Sequence, residues 1–283
     1  MTTFALLLIL AAALLHATWN LAAKRSGGGA GFVWLTSAVA TALYLPLALA
    51  AVVVVRPRLG RAELAAMVVS ALLHLVYFVT LQRGYRVGDL SLVYPLARGT
   101  GPMLATVGAI LIFDERPSRV ALAGAVLIAV GVFVLASGGG VRSAGTAVAY
   151  GLVTGVIIAT YTLWDKHAVS TLAIPPLVYD WFSGALRTVA LLPLALRNRA
   201  DIGNLWRAKR PEVLTVAVCS PLAYILVLTA LVFTPVSHVA PAREVSILFG
   251  ALMGRHLLGE GQGARRPVAA AGMALGIVLL AIG

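Results

Sequence analysis

The chain has 283 residues, 60% hydrophobic and 11% charged, with a mean hydropathy of +0.96. A soluble domain carries roughly 25% charged residues, so a water-soluble fold is excluded, and the apolar sequence is enough for many stretches of about 20 residues, the length that crosses a bilayer's hydrocarbon core. The formal charge of +12 sits mostly in short connections between apolar runs, with no basic domain; anionic lipid headgroups explain it, and nucleic acid is not an expected partner.

Apolar runs fall at 4–23, 32–55, 64–82, 90–113, 119–136, 144–164, 177–196, 212–233, 237–258 and 267–283. No basic residue precedes the first, which is long for a signal segment and reads as a retained first helix. Charge or Gly/Pro separates the runs, as at Lys24-Arg25, Arg56-Pro57-Arg58, Asp114-Glu115-Arg116-Pro117, Asp165-Lys166-His167, Thr234-Pro235 and from Glu260 to Pro267. Backbone groups in hydrocarbon must be satisfied internally, and strand-like alternation is absent, so each run is expected to be a helix. The longest connection is 197–211, and no stretch resembles a soluble domain. A single cysteine, Cys219, excludes an intrachain disulfide.

The chain matches itself. A shift of 145 residues aligns Trp19 with Trp164, Arg98 with Arg243, Glu115 with Glu260 and Gly131 with Gly276. A shift of 147 aligns Trp34 with Trp181 and Leu45–Leu49 with Leu192–Leu196. Five helices per half is an odd number, so the second copy is expected to enter the membrane from the opposite side. The expected fold is therefore all-α and membrane-embedded: ten transmembrane helices as two inverted five-helix repeats, 1–140 and 141–283, around a central cavity. Inverted repeats recur in secondary transporters, with the substrate site where the repeats meet.

The first half carries His16-Ala17-Thr18-Trp19-Asn20 with Lys24, then Tyr94-Pro95-Leu96-Ala97-Arg98 leading to Asp114-Glu115-Arg116. The second carries Tyr161-Thr162-Leu163-Trp164-Asp165-Lys166, then Ala240-Pro241-Ala242-Arg243 leading to Leu258-Gly259-Glu260. In their order and repetition these motifs resemble the EamA-type members of the drug/metabolite transporter superfamily, over essentially the whole chain. The resemblance implies ten helices, a central cavity, and export or uptake of small metabolites such as amino acids. Asn20 stands where the second half has Asp165, so the two sides of the cavity differ chemically.

Arg98 and Arg243 each lie about eight residues into an apolar run, where a charge costs roughly 2.5–3.5 kcal/mol if it faces lipid. They are candidates for an anion clamp, or for helix ties through partners such as Glu244. His16 and Asn20 share one face of the first helix, as Tyr161 and Asp165 share one of the sixth. With Trp19 and Trp164 they suit either an amphipathic solute or an interfacial aromatic belt. Glu115 and Glu260, seventeen residues after their arginines, favour a loop contact over a coupling role. His74, His238 and Glu244 are the groups able to carry a coupling proton, and Tyr77, Tyr94 and Tyr224 are candidate cavity liners. About three Gly-x-x-x-Gly pairs arise by chance among 28 glycines, so Gly151/Gly155, Gly250/Gly254 and Gly272/Gly276 indicate no oligomer.

No metal-ligand cluster, phosphate loop or nucleophile elbow appears, so no cofactor, metal or catalytic residue is expected, and an enzyme is not. With the amino terminus inside, thirteen basic residues would lie outside against six inside, so the positive-inside rule favours external termini. The expectation is a secondary transporter of small organic metabolites in a bacterial plasma membrane, exporting by alternating access, with proton coupling and substrate exchange both open. A lipid-acting enzyme and a lipid-carrier flippase on the same fold are the alternatives.

Overall fold

In the computed structural model the chain is described at every residue except 28, 88, 89, 137–144, 198 and 259–264, and side chains are also not described at 90–92, 94, 95, 135, 136, 251, 252, 254–258 and 265–267. Among the described residues all regular structure is helical: α1 (Thr3–Ser26), α2 (Ala30–Val55), α3 (Arg61–Val87), α4 (Leu90–Ile112), α5 (Arg119–Ala136), α6 (Gly145–Ser170), α7 (Pro176–Arg197), α8 (Arg199–Phe233), α9 (Val236–Arg243), α10 (Val245–Leu258) and α11 (Arg265–Ile282). Five of them, α1, α2, α3, α6 and α8, are long and apolar enough to cross a membrane by length and composition alone. Val54, Leu111 and Ile282 are 80, 78 and 72% exposed while Arg98, Asp165, Arg243 and Glu244 are buried, the inverse of the distribution expected in water.

Three sequence expectations are corrected. Of the connection 197–211, residues 199–211 are helical and open α8, which kinks at Lys209 (φ −130°, ψ 26°) two residues ahead of Pro211; a proline removes a helical N–H and crowds the preceding turn. The run 237–258 is broken at Glu244 into α9 and α10. The break expected at Asp165-Lys166-His167 does not occur, because α6 continues to Ser170.

Charges seal the turn between α8 and α9. Lys166 Nζ donates to the carbonyls of Leu231 (2.7 Å) and Thr234 (3.2 Å) at the end of α8. Glu115 accepts the N–H groups of Val236 (2.7 Å) and Ser237 (2.9 Å) at the start of α9. A cation at a helix C-terminus and a carboxylate at an N-terminus both complement the helix dipole.

Packing between the halves is reciprocal. Trp34 Nε1 donates to the carbonyl of Thr188 (3.1 Å), Trp181 Nε1 donates to that of Thr41 (2.9 Å), and the two threonine hydroxyls meet at 3.2 Å. Both pairs, Trp34/Trp181 and Thr41/Thr188, are 147 residues apart. Between α5 and α11 the glycines approach the opposite helix: a Cβ on Gly131 would meet Met273 and the Ala269 carbonyl, and one on Gly276 would meet Ile128 and the Gly124 carbonyl. Shifting Ile128 and Gly124 by 145 gives Met273 and Ala269. The contacts step backward along α11 as they advance along α5, from Gly283 against Ala121 to Ala269 against Gly131, so the two helices are antiparallel. By the same test α4 and α6 are parallel, with Leu96 on Gly151, Thr100 on Gly155 and Gly108 on Leu163.

Candidate functional site

The break between α9 and α10 places Glu244 against both deep arginines. Glu244 Oε2 lies 2.8 Å from Arg98 Nε, and Oε1 lies 3.8 Å from Arg243 Nε. All three residues are buried, at 6% exposure for each arginine and 1% for the glutamate. The group carries one net positive charge when all three are ionised. Among the described residues neither Glu244 oxygen, nor Arg243 Nε, completes an aligned hydrogen bond. Buried polar atoms are rarely left so, and the attraction of opposite charges is a main tie within the group. The Arg243 guanidinium also reaches Tyr161 Oη at 3.5 Å, and that of Arg98 reaches Ser246 Oγ at 3.4 Å. His16 on α1 lies within electrostatic reach of both arginines.

A second centre forms around Asp165, which is fully buried on α6. Its Oδ1 accepts from Ser70 Oγ and Tyr179 Oη, each at 2.6 Å, and Oδ2 accepts from Tyr224 Oη and lies 3.2 Å from His74 Nε2. Three helices besides α6 thus supply groups to one carboxylate. Rings join the two centres: His74 packs on Tyr161, tilted by 32° with centroids 4.3 Å apart, and Tyr77 meets Tyr161 edge-on at 5.7 Å. A continuous chain therefore runs from Glu244 through Arg243, Tyr161 and His74 to Asp165.

The remaining sequence candidates are placed elsewhere. Trp19 Nε1 donates to His16 Nδ1 at 3.3 Å and packs with Phe32, Leu35 and Val213. Asn20 is exposed and its amide donates to its own helix at the His16 carbonyl (2.6 Å). Trp164 Nε1 donates to the Ala66 carbonyl at 2.9 Å. His238 shares α9 with Arg243 but faces Ser237, with Glu115 and the amino terminus as its charged neighbours. Glu115 is taken up by the start of α9. The side chain of Tyr94, and Glu260 altogether, lie outside the described residues. Of the glycine pairs, Gly151/Gly155 packs within the chain against α4, while Gly272 faces open space.

Sequence reasoning missed Ser70 and Tyr179, whose types are too common to attract notice. It also missed Asp180 and Arg187, which lie on α7 inside a run treated as apolar. The signal was present: two of the chain's few charges, seven residues apart, within one membrane-length segment.

The sequence profile described as the EamA-like transporter family matches residues 3–137 and 145–282. Among curated proteins nothing matches. One solved crystal structure, at 16% sequence identity, superposes with a TM-score of 0.78 over 100% of this chain and 98% of its own, so the fold is shared with a protein of distant sequence.

Proposed function

Because this chain belongs to the EamA-like transporter family and is a multi-pass membrane protein, we propose that it is a secondary transporter that exports small organic metabolites, amino acids or related amphipathic solutes, across a bacterial plasma membrane by alternating access. The halves 1–140 and 141–283 are its two moving bodies. Ten crossings follow if α9 and α10 act as one broken span, and five crossings per half invert the second copy. Reciprocal contacts at offsets of 145 and 147, together with antiparallel α5 and α11, support a two-fold axis lying in the membrane plane.

One observation carries the reading: Arg98 and Arg243, from equivalent positions in the two halves, converge on Glu244 at a helix break. Discontinuous helices at the meeting of inverted repeats are where secondary transporters bind solute. A guanidinium pair with one excess positive charge is suited to a carboxylate, since each can hold it bidentately. Rocking of one half against the other would bring Arg98 and Arg243 apart or together, so this centre is placed to report which side is open.

Flux in proteoliposomes tests the reading, with a panel of labelled metabolites offered with and without a pH gradient. Saturable flux, lost in folded Arg98→Ala or Arg243→Ala protein, is the expected result. Dependence on the gradient separates proton coupling from exchange. Background flux for every solute on the panel would defeat the proposal.

A further inference from the structure

Helix α8 is longer than a membrane crossing requires. From Arg199 to Phe233 it has 35 residues, against about 20 for a bilayer's hydrocarbon core, and the part beyond the Lys209 kink suffices. The arm before the kink, 199–208, is surplus to the span, and its contacts place it at the membrane surface. Ile202, Leu205 and Trp206 pack on a cluster that includes Ala22 near the end of α1 and Phe32 near the start of α2. Ile202 Cγ1 is 3.7 Å from the place a Cβ on Gly31 would take. Lys209 Nζ donates to the Arg25 carbonyl at 3.0 Å and ties the kink to the last turn of α1. The arm therefore lies beside the turn between α1 and α2, at the level where one span ends and the next begins.

Positions 202, 205, 206 and 209 recur at helical spacing and form the inward stripe. At 3.6 residues per turn, Arg199, Arg207 and Arg210 fall to one side of that stripe and Asp201 to the other. All three arginines are exposed. Arg210 lies over the ring of Trp206, with its guanidinium carbon 5.3 Å from the centroid. Among the described residues Glu212 pairs with Lys209 at 3.9 Å, and neither Arg207 nor Arg210 closes to a carboxylate. Like charges three residues apart on a helix repel, and an anion between them would relieve that. The matching connection in the first half, 56–60, is non-helical and has no aromatic residue, so the duplicated scaffold does not require the arm.

We propose that the start of α8 is a binding surface for anionic phospholipid. Arg207 and Arg210 hold the headgroup phosphate, which a guanidinium can grip bidentately. Trp206 sits at the boundary between headgroup and acyl chain, the level at which tryptophan is enriched in membrane proteins, and the basic flank lies in the interface plane as in other amphipathic surface helices. The occupant is a lipid because the arm's own contacts fix it at the bilayer surface, where headgroups are the anions present. A choline headgroup carries an ammonium that the arginines repel, whereas a headgroup of net negative charge carries none. The inference needs only that the chain spans a membrane, and it stands apart from the transporter reading.

The experiment titrates the detergent-purified full chain with phosphatidylglycerol or with phosphatidylcholine of the same acyl chains, and reads the affinity of the first lipid bound by native mass spectrometry. Each basic residue near an anionic headgroup contributes about fivefold, so wild type should prefer phosphatidylglycerol by roughly 25-fold. Arg207→Gln/Arg210→Gln should lose most of that preference. Arg56→Gln/Arg58→Gln, which removes two exposed arginines at the other end of α2, should keep it. Excess inorganic phosphate should not displace the lipid. In lipid-free detergent the Arg207→Gln/Arg210→Gln protein should melt with wild type, and added phosphatidylglycerol should raise its melting temperature less, since a ligand stabilises in proportion to its occupancy of the folded state. Equal binding of the two lipids, or displacement by inorganic phosphate, would leave the arm to a soluble anion and overturn the proposal. So would an unchanged preference in Arg207→Gln/Arg210→Gln, an equal loss in Arg56→Gln/Arg58→Gln, or a clearly lower melting temperature of Arg207→Gln/Arg210→Gln without lipid.

Discussion

Positions 20 and 165 lie 145 residues apart, each next to a tryptophan on its helix. Asn20 is exposed and bonds only to its own helix, whereas Asp165 is fully buried and draws Ser70, His74, Tyr179 and Tyr224 from three other helices. The same contrast recurs elsewhere. Glu244 has Gly99 as its counterpart at an offset of 145, and Asp180 and Arg187 have Val33 and Ala40 at an offset of 147. What the halves keep in common is scaffold: the reciprocal tryptophan and threonine contacts, the glycines of α5 and α11, and the two deep arginines. Duplication supplies the shared frame, while the acidic groups buried among the described residues, Asp165 and Glu244, both come from the second half. The halves agree in scaffold and differ in their buried charge.

The comparison breaks most visibly at Glu244. Glu244→Gln leaves Arg98 and Arg243 buried without their counter-charge, and removing one partner from a buried charge group costs about 3–5 kcal/mol. Unfolding in mixed micelles should show a loss of that size, and an unchanged stability would mean that the three groups are not held by charge. Asp165→Asn comes next. It puts an amide where donors from Tyr224 or Tyr179 now point, and leaving a buried donor unsatisfied costs about 1–3 kcal/mol. Asn20→Ala, at the matched exposed position, should stay within about 0.5 kcal/mol. Equal effects at the two positions would erase the asymmetry argued here.

Gly276→Ala tests the shared scaffold instead. Its Cβ would lie 2.7 Å from Ile128 Cγ1 and 2.8 Å from the Gly124 carbonyl, and overpacking against backbone costs about 1–3 kcal/mol. A smaller loss is expected for Glu115→Ala, which strips the carboxylate from the first N–H groups of α9; capping groups contribute about 0.5–2 kcal/mol. Because α9 ends at Arg243, flux should fall further than stability does.

Most of the frame was legible in the sequence because membrane helices advertise themselves twice, by apolar length and by the charges that end them. The repeat was legible because Trp, Arg and Glu are scarce here, so their recurrence at one offset carries weight. Breaks inside apolar runs were not. At Glu244 the helix parts in a tightened turn within a segment of membrane length, and nothing in its hydropathy separates such a turn from a buried ion pair on a continuous helix. Asp165-Lys166-His167 misled in the opposite sense, since three polar residues in a row read as a loop. In the structure Asp165 turns inward to hydroxyl donors and Lys166 reaches carbonyls at the end of α8. Arg98 and Arg243 were found by their depth. Asp180 and Arg187 were passed over, although Arg187 stands in the middle of its helix, because their run was judged by its average.

The one stabilising change is the sharpest test of the two-fold packing. Gly272 and Gly276 form a Gly-x-x-x-Gly pair on α11, yet a Cβ on Gly272 would meet nothing within 4 Å. In the first half the position matched to Gly272 is Leu127 and the one matched to Gly276 is Gly131, so the twin helix already carries a side chain at the first site and keeps glycine at the second. Gly272→Ala should therefore stabilise by about 0.5–1 kcal/mol, the helical preference of alanine over glycine, in the same unfolding assay that shows a loss for Gly276→Ala. If Gly272→Ala destabilised instead, α11 would be presenting a different face to α5. The antiparallel register on which the inversion of the repeats rests would then be wrong.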